Sequence, residues 1–169
     1  MSESAAQHRA QAPQKLRCAV ITVSDTRTRD NDTGGQLVVD KLQEAGHEIA
    51  AREIIPDDPD RMASLVDELC SHGDIDAILL TGGTGISSRD QTYETISRLL
   101  TKALPGYGEL FRALSYQEIG AAGMLSRAVG GLAGRTVVLT MPGSPAGVRL
   151  AMEKLILPEL GHLVREARR

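Results

Sequence analysis

Apolar residues along this chain follow two rhythms. Short, almost unbroken apolar runs at 16–23, 47–55, 75–81 and 135–141 are the pattern of strands, and the continuous ones suit strands buried on both faces of a parallel sheet. Between them the spacing changes to i, i+3, i+4, i+7. Residues 34–45 read as a helix closed by Gly46. Met62, Leu65, Val66 and Leu69 predict an amphipathic helix with Pro59 in its first position and Asp58 as its cap. A third helix is expected from about Thr92, with Ile96, Leu99, Leu100 and Ala103 on its apolar side, ended by Pro105-Gly106. Tyr107, Leu110, Phe111 and Leu114 repeat the stripe up to Gly120. The glycine-punctuated stretch 123–134 predicts no definite element, and 148–169 reads as helix, kinked or split at Pro158. Alternation of this kind implies an α/β fold, a three-layer sandwich with a mostly parallel central sheet and helices on both faces. Residues 1–14 read as a flexible polar tail and 15–169 as a single domain.

Parallel crossovers would bring Ser24-Asp25, Asp57-Asp58, the turn at 81–85 and Pro142-Gly143-Ser144 to the carboxyl ends of the strands, where open α/β sheets bind ligands. In the turn Thr81-Gly82-Gly83-Thr84-Gly85 three residues lack a Cβ, so the backbone can take positive φ and aim successive amides into one concavity suited to an anion. It has neither the lysine-serine/threonine ending of a P-loop nor the spacing of a dinucleotide fingerprint. A nucleotide or another phosphorylated ligand is expected. Asp57 and Asp90 lie on the same rim, and carboxylates beside a phosphate site call for a bridging cation, most often Mg²⁺. Helix capping alone accounts for Asp58. Arg127, in the pair Ser126-Arg127, either clamps a phosphate or ring carbonyl or forms a surface salt bridge. Ser144 either donates to a ligand or caps the last helix. The segment from Arg27 to Asp32 reads as a solvated loop, the alternative being that it borders the crevice after the first strand.

Composition narrows the classes. With 24% charged residues and a net charge of −3, there is no basic footprint for nucleic acid or an anionic membrane. Trp is absent and Phe111, Tyr93, Tyr107 and Tyr116 are the aromatic residues, too few for a base-stacking platform. Cys18 and Cys70 lack metal-ligand spacing and read as small buried hydrophobes of a reducing compartment. His8, His47, His72 and His162 pair with no nucleophile, and no GxSxG elbow is present, which excludes triad hydrolysis. No apolar run approaches the roughly 18 residues of a membrane span. A cytoplasmic protein is expected.

The segments TVSD at 22–25, PDD at 56–58, TGGTG at 81–85, RDQT at 89–92, SRA at 126–128 and MPGSP at 141–145, in this order and spacing, resemble the MoaB/MogA family of molybdenum cofactor biosynthesis. PGYGELFR at 105–112 looks like its MoaB branch. The resemblance implies a molybdopterin adenylyltransferase that uses Mg²⁺ and ATP as co-substrate, with ATP preferred to GTP, releases pyrophosphate and works as a homotrimer or homohexamer. Carried over by position, Asp57 and Asp90 match the magnesium and catalytic acids, and Gly82, Gly83, Thr84 and Gly85 the nucleotide phosphate loop. Ser24, Asp25, Ser126, Arg127, Pro142, Gly143 and Ser144 match other pocket segments. Two positions depart from the pattern. Ser88-Arg89 precedes Asp90 where proline-arginine is frequent, and Ser144 stands where the MogA branch commonly carries asparagine or glutamine. The alternative reading is a catalytically silent scaffold binding pterin or other proteins of the pathway.

Overall fold

The computed structural model describes residues 13–169, so the expected tail lies outside the described residues except for Pro13 and Gln14. The strands β1 (Arg17–Val23), β2 (Glu48–Ile55), β3 (Ala77–Thr81), β4 (Lys102–Ala103), β5 (Gly130–Ala133) and β6 (Thr136–Met141) form one sheet in the order β2-β1-β3-β6-β5-β4. The first four of that order run parallel, and β5 is antiparallel to both its neighbours. Helices α1 (Thr33–Glu44), α2 (Pro59–Ser71), α3 (Thr92–Leu99), α4 (Pro105–Ile119), α5 (Pro145–Ala151) and α6 (Leu157–Ala167) complete the fold.

Strand alternation divides the core into two apolar layers. Cys18, Val20, Leu79 and Leu139 pack with Val38 and Leu42 of α1, Phe111 of α4, Val148 of α5 and Leu160 of α6. On the other face Ala19, Ile21, Ile78, Leu80 and Val138 meet Met62, Leu65 and Val66 of α2 and Ile96 of α3. The expected three layers are therefore present. Because β3 is buried on both faces, truncating Leu79 or Leu80 to alanine should cost about 2–5 kcal/mol. Register then makes the rim: Val23 pairs with Ile55, Thr22 with Thr81 and Thr81 with Met141, so four parallel strands end level.

Caps explain two helix starts. Asp58 accepts from the N–H of Arg61 at 2.8 Å with Pro59 behind it, as its position predicts. Asp32 caps α1 by accepting from the Gly35 N–H at 2.9 Å, accepts from Thr22 Oγ1 at 2.8 Å and is buried. That carboxylate belongs to the segment expected to be a solvated loop; only the fold brings Thr22 and Arg52 against it.

Three elements differ from the sequence expectation. Pro105 does not end a helix. The α3 helix stops at Leu99, Lys102 and Ala103 form β4 against Leu132 and Gly131, and Pro105 opens α4. Proline suits a helix's first turn as well as the position after its end. The stretch 123–134 holds the end of a 3₁₀ turn (Gly120–Leu125) and β5. There Gly130 is required by packing, since a Cβ would meet Leu139 Cδ2 at 2.5 Å and the Tyr107 ring at 3.0 Å. Pro158 neither kinks nor splits the last helix by itself: a π turn (Met152–Ile156) precedes it and resets the hydrogen-bond register, leaving Pro158 in the first turn of α6, where no N–H is needed. Cys18 is fully buried and its thiol is pushed up to about 12 by burial, whereas Cys70 is half-buried.

Candidate functional site

The glycine turn after β3 is fastened by its carbonyls. Gly82 and Gly83 have φ of 102° and 62°, values glycine adopts without steric cost. Thr92 Oγ1 donates to Gly82 O at 3.0 Å, and Thr92 N–H to Gly83 O at 3.1 Å. Arg127 N–H donates to Thr84 O at 3.0 Å, and Arg127 Nε to Gly85 O at 2.7 Å. In a trans peptide the N–H points opposite to the C=O, so the amides of Gly83, Thr84, Gly85 and Ile86 project away from these anchors. Those of Gly83, Thr84 and Gly85 donate to no other group among the described residues. Such convergent amides form an anion cradle.

Both acidic residues close on this turn. A Cβ on Gly83 would lie 2.6 Å from Asp57 Oδ2, and one on Gly85 would lie 2.7 Å from Asp90 Oδ2. Asp57 Oδ1 accepts from the Gln91 N–H at 3.1 Å, while Asp90 Oδ2 accepts from the Ser87 N–H at 2.8 Å. Desolvation raises the Asp57 carboxyl above its ordinary value; the Gln91 N–H opposes the shift, Asp90 and Asp25 add to it, and Arg89 opposes it. Asp25 joins the group from β1, accepting from the Asp57 N–H at 3.2 Å through Oδ1 and pairing with Arg89 through Oδ2. Three carboxylates share one rim with a single adjacent guanidinium among their named partners. This is an arrangement that a hard cation would relieve.

A cavity of about 450 Å³ opens beside the turn, within the range of small-molecule sites. Gly82, Gly83, Thr84, Gly85, Asp90, Ser126, Pro142, Gly143 and Ser144 line it, together with Phe111, Ile119, Leu125 and Leu150. Ser126 Oγ is buried without a hydrogen-bond partner among the described residues. The structure thus gathers most of the expected positions into one place. Four stand outside the cavity. Asp57 lies beside Gly83, and Asp25 supports Asp57. Ser24 Oγ accepts from the N–H groups of Thr26 and Arg27, forming the turn after β1. Arg127 directs its guanidinium to the loop carbonyls and Glu94. Ser144 both lines the cavity and caps α5, accepting from the Gly147 N–H at 3.2 Å. The 142–144 turn is held by Thr81 Oγ1 donating to Pro142 O at 2.9 Å.

Sequence reasoning missed the wall supplied by Phe111, Ser115, Glu118 and Ile119 of α4 and by Ala122 and Gly123 after it. The available signal was an apolar excess on that segment, since Ile119, Met124 and Leu125 are exposed.

Residues 19–162 match a family model described as "Probable molybdopterin binding domain". A Bacillus subtilis protein named Molybdenum cofactor biosynthesis protein B is 52% identical over 167 residues, covering 98% of each chain. A crystal structure of a protein of that name superposes with a TM-score of 0.90 at 52% identity, covering 94% of this chain and 99% of the other. The Pyrococcus furiosus protein MoaB, described as tungsten cofactor synthesizing, superposes with a TM-score of 0.83 at 36% identity, covering 94% and 100%.

Proposed function

Since this chain belongs to the MoaB/MogA family of molybdenum cofactor biosynthesis proteins, we propose that it adenylylates molybdopterin with ATP in a Mg²⁺-dependent reaction. The observation that carries the reading is the glycine turn, with four carbonyls tied inward and two carboxylates closing on it. In the reaction a phosphate oxygen of molybdopterin attacks the α-phosphorus of ATP. A new P–O bond forms, the bridge between the α- and β-phosphates breaks, and pyrophosphate leaves with the bonding pair. A phosphate monoester has a second pKa of about 6, so the attacking oxygen is already ionised at neutral pH and no general base is needed. No histidine among the described residues lines the cavity, which fits that chemistry.

The residues would act by positioning and charge. The amides of Gly83, Thr84 and Gly85 would receive phosphate oxygens, and the apolar wall of Phe111, Leu125 and Leu150 would take a flat ring. Asp57 and Asp90 are hard-oxygen donors suited to Mg²⁺. No three His, Cys, Asp or Glu side chains among the described residues form a closed metal cage, which leaves further coordination to water and phosphate, as Mg²⁺ prefers. When bound, Mg²⁺ would neutralise the triphosphate against these carboxylates.

Exposed Leu110, Tyr116, Ile119 and Met124 on and after α4 support a homotrimer or homohexamer; a monodisperse monomer in light scattering at micromolar concentration would contradict this. Among the described residues no helix is long and apolar enough to cross a membrane, and the reading includes a cytoplasmic location. The test is incubation with molybdopterin, ATP and Mg²⁺ and detection of pyrophosphate and adenylylated pterin. No product from well-folded protein would reject the enzyme in favour of a silent pterin-binding scaffold.

A further inference from the structure

We propose that Arg127 is a positioning residue that holds the anion cradle and both rim carboxylates in their working form, and that it does not contact the ligand. The proposal rests on the assignment of the glycine turn as the phosphate site. Each guanidinium nitrogen is engaged with the protein. Nε donates to Gly85 O at 2.7 Å, Nη2 donates to Asp90 O at 3.0 Å, and Nη1 pairs with Glu94. The guanidinium carbon also lies 5.4 Å from the centre of the Tyr93 ring, a cation–π distance. Its own N–H holds Thr84 O.

These bonds bracket the exposed segment 86–89. Gly85 O and Asp90 O, at its two ends, are fixed by a single planar fork. Within the segment the backbone ties are local, the Ser87 N–H to Asp90 Oδ2 and the Asp90 N–H to Ser87 O at 3.0 Å, and one side-chain tie leaves it, from Arg89 to Asp25. Left free, such a loop would have to be ordered, at a cost in backbone entropy, whenever ligand binds. The Asp90–Gln91 peptide extends the effect. Its carbonyl accepts from Arg127, so its N–H points the other way, to Asp57 Oδ1 at 3.1 Å. One guanidinium therefore sets Asp90 through its own main chain and Asp57 through one peptide plane. Lysine cannot reproduce this, because an ammonium is a point donor without the three fixed directions of the fork.

The test uses the full chain carrying Arg127→Lys or Glu94→Gln, with two readouts. Hydrogen exchange without ligand should show faster exchange at the amides of Ser87, Asp90 and Gln91, largest for Arg127→Lys and smaller for Glu94→Gln, with the core strands unchanged. In steady state, Arg127→Lys should lower turnover about 10- to 100-fold, as displaced catalytic groups do, with the KM for molybdopterin changed less than about threefold. If Arg127→Lys does not fold, the exposed Glu94→Gln change reads the same exchange effect. Unchanged protection of 86–91 in both variants would overturn the proposal. So would an Arg127→Lys enzyme with normal turnover and a KM for molybdopterin raised tenfold, the mark of a direct contact. If the wild type yields no product, the adenylylation reading fails, while the exchange result still decides whether Arg127 is a brace.

Discussion

The two ends of the central sheet treat carboxylates in opposite ways. At the amino end Asp76 is buried, accepts from the Arg17 N–H at 2.8 Å through Oδ2 and pairs with Arg168 through Oδ1. Its charge is answered on both oxygens. At the carboxyl end Asp57, Asp90 and Asp25 crowd one rim, and Asp57 is held above its ordinary protonation range by desolvation and by the other two carboxylates. The amides of Gly83, Thr84 and Gly85, unpaired among the described residues, stand beside them. The amino end answers its carboxylate with groups of the chain itself, whereas the carboxyl end, on the proposed function, is balanced by a bound cation and anion. On the proposed function, stability and activity draw on different ends of the same strands.

The largest expected effect breaks the carboxyl end. Asp57→Asn and Asp90→Asn should each lower turnover by about 10²–10³-fold in the pyrophosphate assay. Asp58→Asn should change it little, because asparagine caps a helix about as well. At pH 7 Asp57→Asn should melt no lower than wild type, since it removes a repelled charge and keeps an acceptor for the Gln91 N–H. A lower melting temperature would mean that the carboxylate stabilises the rim, against the contrast drawn above.

Gly82→Ala should act on the fold instead. Its φ of 102° disfavours a side chain, and the added Cβ would be pressed against Val23 O. A loss on the order of 1–3 kcal/mol is expected, read by urea unfolding. At the amino end Asp76→Asn should cost about 1–3 kcal/mol, because the amide must turn its NH₂ toward either the Arg17 N–H or the Arg168 guanidinium. Turnover per folded molecule should stay at the wild-type level, and a tenfold loss would show that the two ends are coupled.

The smallest effect lies in pH dependence. For Asp57 the native pKa lies above the ordinary value of 3.8. Between those two values the unfolded chain has released a proton that the native state retains, so stability falls as pH rises across that window and levels off above it. Asp57→Asn should remove this decline, which paired unfolding curves from pH 3 to 6 would reveal. A wild-type contribution that rises with pH there would reverse the sign and contradict the crowding of the rim.

Long apolar periods made much of this legible in the sequence. Runs such as AILL in β3 and the Met62, Leu65, Val66, Leu69 stripe of α2 can bury their faces in only a few ways, and the Asp58-Pro59 start is a local matter of capping. The glycine turn was legible for the same reason, since three glycines after a buried strand specify a backbone before any partner is known. Elements set by distant partners were not. The two-residue strand β4 has no period of its own and exists because Leu132 and Gly131 pair with it. Asp32 reads as a loop residue until Thr22 and Arg52 surround it.

The sequence by itself determined the α/β alternation, the rim on which the loops converge and the residue types gathered there. Tertiary structure alone decided which way the polar groups face. Arg127 is equally suited by sequence to a phosphate or to a carbonyl, and it turns to Gly85 and Asp90 because the path from the 3₁₀ turn into β5 brings it behind the glycine turn. Asp57 sits beside Gly83 because β2 and β3 flank β1 in register. Local propensity acts over a few residues, whereas the direction of a charge depends on strand order and register between segments far apart in the chain.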